Sequence, residues 1–276
     1  MTLNAIKIIR PHDERGLLDD LSAILANIEL LVVLARREIA VRYRQAAIGL
    51  LWVVLQPLIA TAIFTIVFMV FVRIPAQGQS YPLFAFAGIA VWQYFSRIVV
   101  DGSNSLVTNA ALITKVSFPR MIIPLVPPVA GAVDCMIATA ALVVTALLMG
   151  ASVSWTAIFA PVVIAFVGLF GYSVALWIAP LNAVYRDVGI AIPFLMQVGM
   201  YLSPIVYPAT LVPEKIRWWF LLNPVAVMVD SMRWVILGTD APSFAGIVVF
   251  LVLTVLLFWG GSRVFHRMEG NLVDRI

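Results

Sequence analysis

Arg36-Arg37-Glu-Ile-Ala-Val-Arg42-Tyr-Arg44-Gln-Ala-Ala-Ile-Gly49-Leu-Leu-Trp52-Val-Val-Leu-Gln-Pro57 holds four arginines within nine residues, and after Arg44 no charged residue occurs until Arg73. Such a step marks the passage from water into hydrocarbon, which accepts a helix of about 20 apolar residues. Arginines beside the end of a span mark its cytoplasmic side. The N-terminus is therefore expected inside, with the first span running outward.

The rest of the chain agrees with a membrane setting. It is 63% hydrophobic and 12% charged, with a mean hydropathy of +1.04. A soluble domain carries about 25% charged residues. The net charge of +4 follows the expected cytoplasmic ends of the spans and forms no water-facing basic stripe, so no nucleic-acid partner is expected. One cysteine, Cys135, can form no disulfide within the chain. Residues 1 to 20 are polar and charged and lack the apolar centre of a cleavable signal peptide.

Uncharged stretches define six spans: Gln45 to Val72, Ile74 to Ser96, two within Met121 to Tyr185 with Gly150 to Ser154 as the turn, Val188 to Pro213, and Ala241 to Ser262. Of the 18 Lys and Arg residues, this arrangement puts fourteen on the cytoplasmic side and four (Arg73, Lys215, Arg217, Arg233) outside, which supports the orientation. Ahead of the first span, Leu21, Ile24, Leu25, Ile28, Leu31, Val32 and Ala35 keep the spacing of one helical face. With its basic end this stretch fits a helix lying in the membrane interface. Between spans five and six, Glu214 to Asp240 is apolar in pieces too short to cross, and it reads as re-entrant helices. The expected fold is thus an all-α integral membrane protein with six transmembrane helices. Residues 1–45 form a cytoplasmic N-terminus with the amphipathic helix, 46–262 the transmembrane domain, and 263–276 a cytoplasmic tail.

Enzyme signatures are missing. The chain has no Gly-x-x-x-x-Gly-Lys-Ser/Thr loop to cradle ATP. His12 and His266 are its two histidines, both outside the expected spans, so no metal cluster and no bound cofactor are expected. Asp19-Asp20 reads as a solvated acidic turn. Asp134 falls near mid-membrane, where a carboxylate costs roughly 2.5–3.5 kcal/mol; it serves either a translocation path or a helix–helix hydrogen bond. Arg97 and Asp101 stand four residues apart and are expected to pair locally. Arg42 and Arg44 are placed to meet lipid phosphate or a carrier diphosphate, or anionic lipid alone. Trp92, Tyr94, Phe95, Trp177, Tyr201 and Tyr207, with Trp218, Trp219 and Phe220 beyond them, are interfacial belt residues or the aromatic wall of a path for sugars. Leu112-Ile-Thr114-Lys115-Val-Ser-Phe118-Pro119-Arg120 suits a short helix docking on a soluble partner.

Several of these stretches together resemble one family. Arg37-Glu-Ile-Ala-Val-Arg-Tyr-Arg-Gln45 followed by Ile48-Gly49, Leu51-Trp52 and Gln56-Pro57, then Leu112 to Arg120, Tyr185-Arg186-Asp187, Ser203-Pro-Ile-Val-Tyr-Pro208, and Asn223-Pro224 with Arg233 are similar to the ABC-2 type permeases that export polysaccharides, the membrane subunits of O-antigen, capsule and teichoic-acid ABC transporters. The resemblance runs from about residue 30 to 262. It implies a homodimeric permease of the cytoplasmic (inner) membrane with both termini cytoplasmic, and no enzyme: two separate ABC ATPase subunits carry ATP and Mg. The substrate it implies is a polyprenyl-diphosphate-linked polysaccharide such as O-antigen; teichoic acid, another lipid or a drug is the alternative cargo. Thr114, Lys115, Phe118, Pro119 and Arg120 would transmit the ATPase motion. Tyr185, Arg186 and Asp187 would form the inner gate, and 209–237, with Trp218, Trp219 and Phe220, the outer gate.

Overall fold

The computed structural model describes residues 17–44, 49–71, 80–208, 213, 215 and 222–272. Among them every regular element is helical. In chain order these are α1 (Leu17–Ala26), α2 (Ile28–Arg44), α3 (Leu51–Thr65, continued by a π-helical turn Ile66–Phe71), α4 (Tyr81–Thr108), α5 (Ala110–Lys115), α6 (Ile122–Leu148), α7 (Ala160–Val184, entered through a 3-10 turn Trp155–Phe159), α8 (Asp187–Leu202), α9 (Pro224–Leu237) and α10 (Phe244–Leu272).

Helix α4 is the centre of the bundle. Ser80 stays extended and Pro82 occupies the first turn, where proline's missing N–H costs nothing. From there 28 residues run about 42 Å. Leu83, Phe86, Ile89, Trp92, Tyr94, Phe95, Ile98 and Leu106 are all buried, because α6, α7, α3, α9 and α8 pack around them. α7 in turn carries α10 on its far side.

Among the described residues, five helices are long and apolar enough to cross a membrane: those beginning at Leu51, Tyr81, Ile122, Trp155 and Phe244. The stretch expected as span five is a 16-residue helix, α8, with Pro193 inside it, about 24 Å long and short of a roughly 30 Å hydrocarbon core. The second span starts at Tyr81 and runs twelve residues past Ser96, so Arg97 and Asp101 lie within a helix and not beyond its end. The expected single amphipathic helix is two, broken at Asn27, whose side-chain amide donates to the Ala23 carbonyl at 2.8 Å. Leu31 and Ala35 bury against Ile122, Val126 and Ala130 of α6, while Leu25, Ile28 and Val33 stay exposed. α10 does not stop at Ser262; Phe265 and His266 beyond it are buried.

At the end of the bundle remote from α2, one arginine ties three segments together. Arg233 of α9, expected as an outer-side charge, is 2% exposed. Its Nε donates to the Phe84 carbonyl (3.2 Å), Nη1 to that of Pro204 (3.3 Å), Nη2 to that of Ile205 (2.5 Å), and the guanidinium lies 3.4 Å above the Phe84 ring. Burial draws its pKa down to about 10 against the opposing pull of Asp230, 3.0 Å away, so it remains charged at neutral pH. Gly88 permits this approach: a Cβ there would collide with the Ile205 carbonyl oxygen and come within 2.9 Å of Arg233 Nη2. Tyr81 donates to the Val206 carbonyl at 2.7 Å, and Asn223, which caps α9, donates to Ser203 Oγ at 3.2 Å.

Candidate functional site

Asp134 lies halfway along α6 and is 6% exposed. An unpaired carboxylate is costly in so buried a position, and three donors meet it. Arg42 Nη1 of α2 and Arg97 Nη1 of α4 each approach Oδ2 at 2.6 Å, and the Tyr43 hydroxyl donates to Oδ1. Of the two roles open to Asp134, the structure places it in the interhelical bond. The expected Arg97–Asp101 pair does not form: helix packing turns Arg97 toward α6, and Asp101 lies 3.7 Å from Arg42 instead. Glu38, one turn before Arg42, pairs with it at 2.8 Å. Burial disfavours the Arg42 charge, but Asp134, Glu38 and Asp101 together outweigh it and raise the pKa. Burial raises Glu38, partly offset by Arg42. Burial and the bond to Asp134 push the Tyr43 phenol up to about 12.

Two openings adjoin this cluster. One, about 310 Å³, is lined by Arg42, Tyr43, Gly49, Trp52, Val53, Gln56 and Arg97. The chain reaches it through Gly49, whose φ of +53° is a left-handed conformation that glycine adopts without a Cβ penalty. The other is an open groove of about 730 Å³ between α3, α4 and α8. It shares Trp52, Gln56 and Arg97 with the first and adds Trp92, Gln93, Ser96 and Asp101. Arg44 is exposed at the end of α2 and lines neither.

The aromatic residues divide. Trp92 lines the groove and Tyr201 is 59% exposed on α8, while the half-buried Tyr207 donates to the Tyr201 carbonyl at 3.1 Å. Tyr94, Phe95 and Trp177 do not line the groove; helix packing occupies them. Tyr94 donates to the Pro128 carbonyl (2.9 Å), Phe95 stacks on Phe170 at 5.6 Å between centroids, and Trp177 donates to the Leu257 carbonyl (2.8 Å). Trp218, Trp219 and Phe220 lie outside the described residues.

At the end of the bundle that carries α2, Thr114 and Lys115 are exposed on α5, and Phe118 packs beside Ile113, Met121 and Phe265. Pro119 accepts the Ile122 N–H at 3.1 Å, and Arg120 donates to the Glu269 carbonyl at 2.8 Å. Tyr185, Arg186 and Asp187 are exposed at the bend from α7 to α8. Just before that bend, Asn182 donates to the Ser103 carbonyl (2.9 Å) and to Asn104 Oδ1 (3.0 Å). The expected solvated turn at Asp19-Asp20 is corrected for Asp20: it is 3% exposed, bonded to Ser262 and 2.8 Å from His266 Nε2, because α1 docks on the end of α10. Spacing along the chain signals none of this, since the partners are 246 residues apart.

The profile of the ABC-2 type transporter family matches residues 29–237. An O-antigen export system permease protein, RfbA, of Klebsiella pneumoniae is 29% identical over 89% of this chain and 94% of its own length. Its namesake from Myxococcus xanthus is 26% identical over 90% and 95%. With five membrane-length helices and a match across most of its residues, this chain is a multi-pass membrane protein and belongs to the ABC-2 type transporter family.

Proposed function

We propose that the chain is the permease subunit of an ATP-driven exporter of lipid-linked polysaccharide, of the O-antigen kind, in the cytoplasmic membrane. The observation that carries this is similarity to O-antigen export permeases along about nine tenths of both chains. ATP hydrolysis belongs to a separate ABC ATPase, two copies of which would dock on a homodimer. In this reading α8, with the chain that follows it, makes a sixth crossing, α9 belongs to a re-entrant outer segment, and both termini face the cytoplasm. The excess of Lys and Arg at the α2 end supports that orientation.

The short exposed α5, with Thr114 to Arg120 around it, is the element suited to receive ATPase motion, since Arg120 and Phe118 join it to α10 and the bundle core. Tyr185, Arg186 and Asp187 serve as the inner gate, and the segment held by Arg233 as the outer gate. Arg42 and Arg44 draw anionic headgroups to the cytoplasmic boundary. Any bias between the two facing states comes from the different affinity of the ATPase for them.

The test is ATPase activity of the permease reconstituted with its ATPase, with and without polyprenyl-diphosphate-linked glycan. Hydrolysis that depends on this chain and responds to glycan is the expected result. A response to another lipid or a drug, with none to glycan, overturns the cargo.

A further inference from the structure

The cavity of about 310 Å³ between α2, α3 and α4 opens to the surface, with Trp52 and Gln56 exposed at its edge. Its polar residues are Arg42, Arg97, Tyr43, Trp52 and Gln56, and among the described residues no carboxylate lines it. Arg42, Arg97 and Tyr43 each donate to Asp134 beside it; hydrocarbon does not accommodate the donors left over, so those face either water or a ligand rich in acceptor oxygens.

The two arginines are not equivalent. Arg42 is shared by Asp134, Glu38 and Asp101. Arg97 uses Nη1 for Asp134, and its Nε and Nη2 have no partner among the described residues. Its side chain is 34% exposed and borders both the cavity and the groove. The Gln56 amide likewise has no hydrogen-bond partner among the described residues. A planar guanidinium with one edge anchored and the other open matches two oxygens of a phosphate. The adjoining groove adds Trp92, Gln93 and Ser96, aromatic and hydroxyl- or amide-bearing surface for whatever the phosphate carries, along with the Asp101 carboxylate, which lies 3.7 Å from Arg42.

We propose that this cavity holds the phosphate group of a membrane lipid phosphate ester, with Arg97 as its principal cation and Gln56 beside it. This rests on the exporter reading for the identity of the lipid, the carrier diphosphate, but the phosphate chemistry stands on the cavity alone.

The test uses the permease–ATPase complex in dodecyl maltoside micelles, which contribute no phosphate of their own. Native mass spectrometry reads the binding of polyprenyl diphosphate, phosphatidylglycerol and, as the phosphate-free control, polyprenol. Arg97→Gln is expected to weaken polyprenyl diphosphate binding roughly tenfold or more, the scale of a lost charge-assisted bond, and to leave polyprenol unchanged. Arg97→Lys should restore part of the loss. Gln56→Leu, which leaves every ion pair in place, should weaken binding by a smaller factor and keeps the test decisive where Arg97→Gln fails to assemble.

Equal losses for phosphatidylglycerol assign the site to lipid phosphate in general; a loss confined to polyprenyl diphosphate assigns it to the carrier. Unchanged binding of both phosphate lipids in Arg97→Gln and Gln56→Leu overturns the proposal. A wild-type ATPase that ignores glycan, alongside a weakened Arg97→Gln, overturns the exporter reading and leaves the phosphate site standing.

Discussion

Arg233 and Arg97 are both arginines carried into a helical bundle, and their surroundings are opposite. Around Arg233 every donor-bearing nitrogen is engaged, by the carbonyls of Phe84, Pro204 and Ile205 and by Asp230, with an aromatic ring beneath the guanidinium. Around Arg97, among the described residues, a single carboxylate holds a single nitrogen, and the side chain borders the cavity. A saturated guanidinium fastens backbone segments that cannot pair with one another. An anchored but unsaturated one keeps binding capacity in reserve.

The sharpest way to break this contrast is at Arg233. Arg233→Leu strands three carbonyls and Asp230, and should cost about 3–5 kcal/mol, the range for breaking a buried charged network. Thermal unfolding in detergent measures it, and a loss under about 1 kcal/mol would show that the fastener is dispensable.

Asp134→Asn probes the other side. It leaves Arg42 and Arg97 facing a neutral amide, but both side chains are partly exposed, at 23% and 34%, and Arg42 keeps Glu38. The expected loss is about 1–3 kcal/mol, smaller than at Arg233 in the same unfolding experiment. An equal or larger loss would mean that the two clusters are alike.

Gly88→Ala tests the close approach beneath Arg233. The added methyl must displace the Ile205 backbone, so about 1–3 kcal/mol is expected, whereas an unchanged melting temperature would show that the loop yields freely.

The smallest effect belongs to Glu38. Its folded pKa is raised above 4.5, by burial first. A raised carboxyl adds stability that is fully present below the ordinary value and is lost as pH rises through the folded one. Wild type should therefore lose more stability over that rise than Glu38→Gln does, a difference of about 1 kcal/mol or less. Parallel pH profiles of melting temperature would refute the shift.

Much of the fold could be read along the chain. The arginine-to-apolar step at Arg44, the apolar runs that became α3, α4, α6, α7 and α10, and the break before α9 each follow from local composition. The extent of α8 is not legible, because an apolar stretch of span length does not reveal that its helix ends at Leu202. For the candidate site, Arg42 and Asp134 stood out singly. Helical spacing offers Arg97 the neighbouring Asp101, but its side chain turns to Asp134 instead. The direction in which Tyr94, Phe95 and Trp177 point is not legible, since an aromatic side chain reads the same whether it faces a groove or another helix.

The sequence by itself determined that this is a helical membrane protein, which segments are apolar enough to cross, and which family it joins, because hydrocarbon filters each segment separately by length and polarity. Only the tertiary structure decided which charges meet. Asp134 lies 92 residues from Arg42 and 37 from Arg97, and no local rule selects partners at that distance. Burial makes an unpaired carboxylate costly, so the packing of α2 and α4 against α6 had to bring the two arginines to it, and that same packing left one edge of Arg97 open to the cavity.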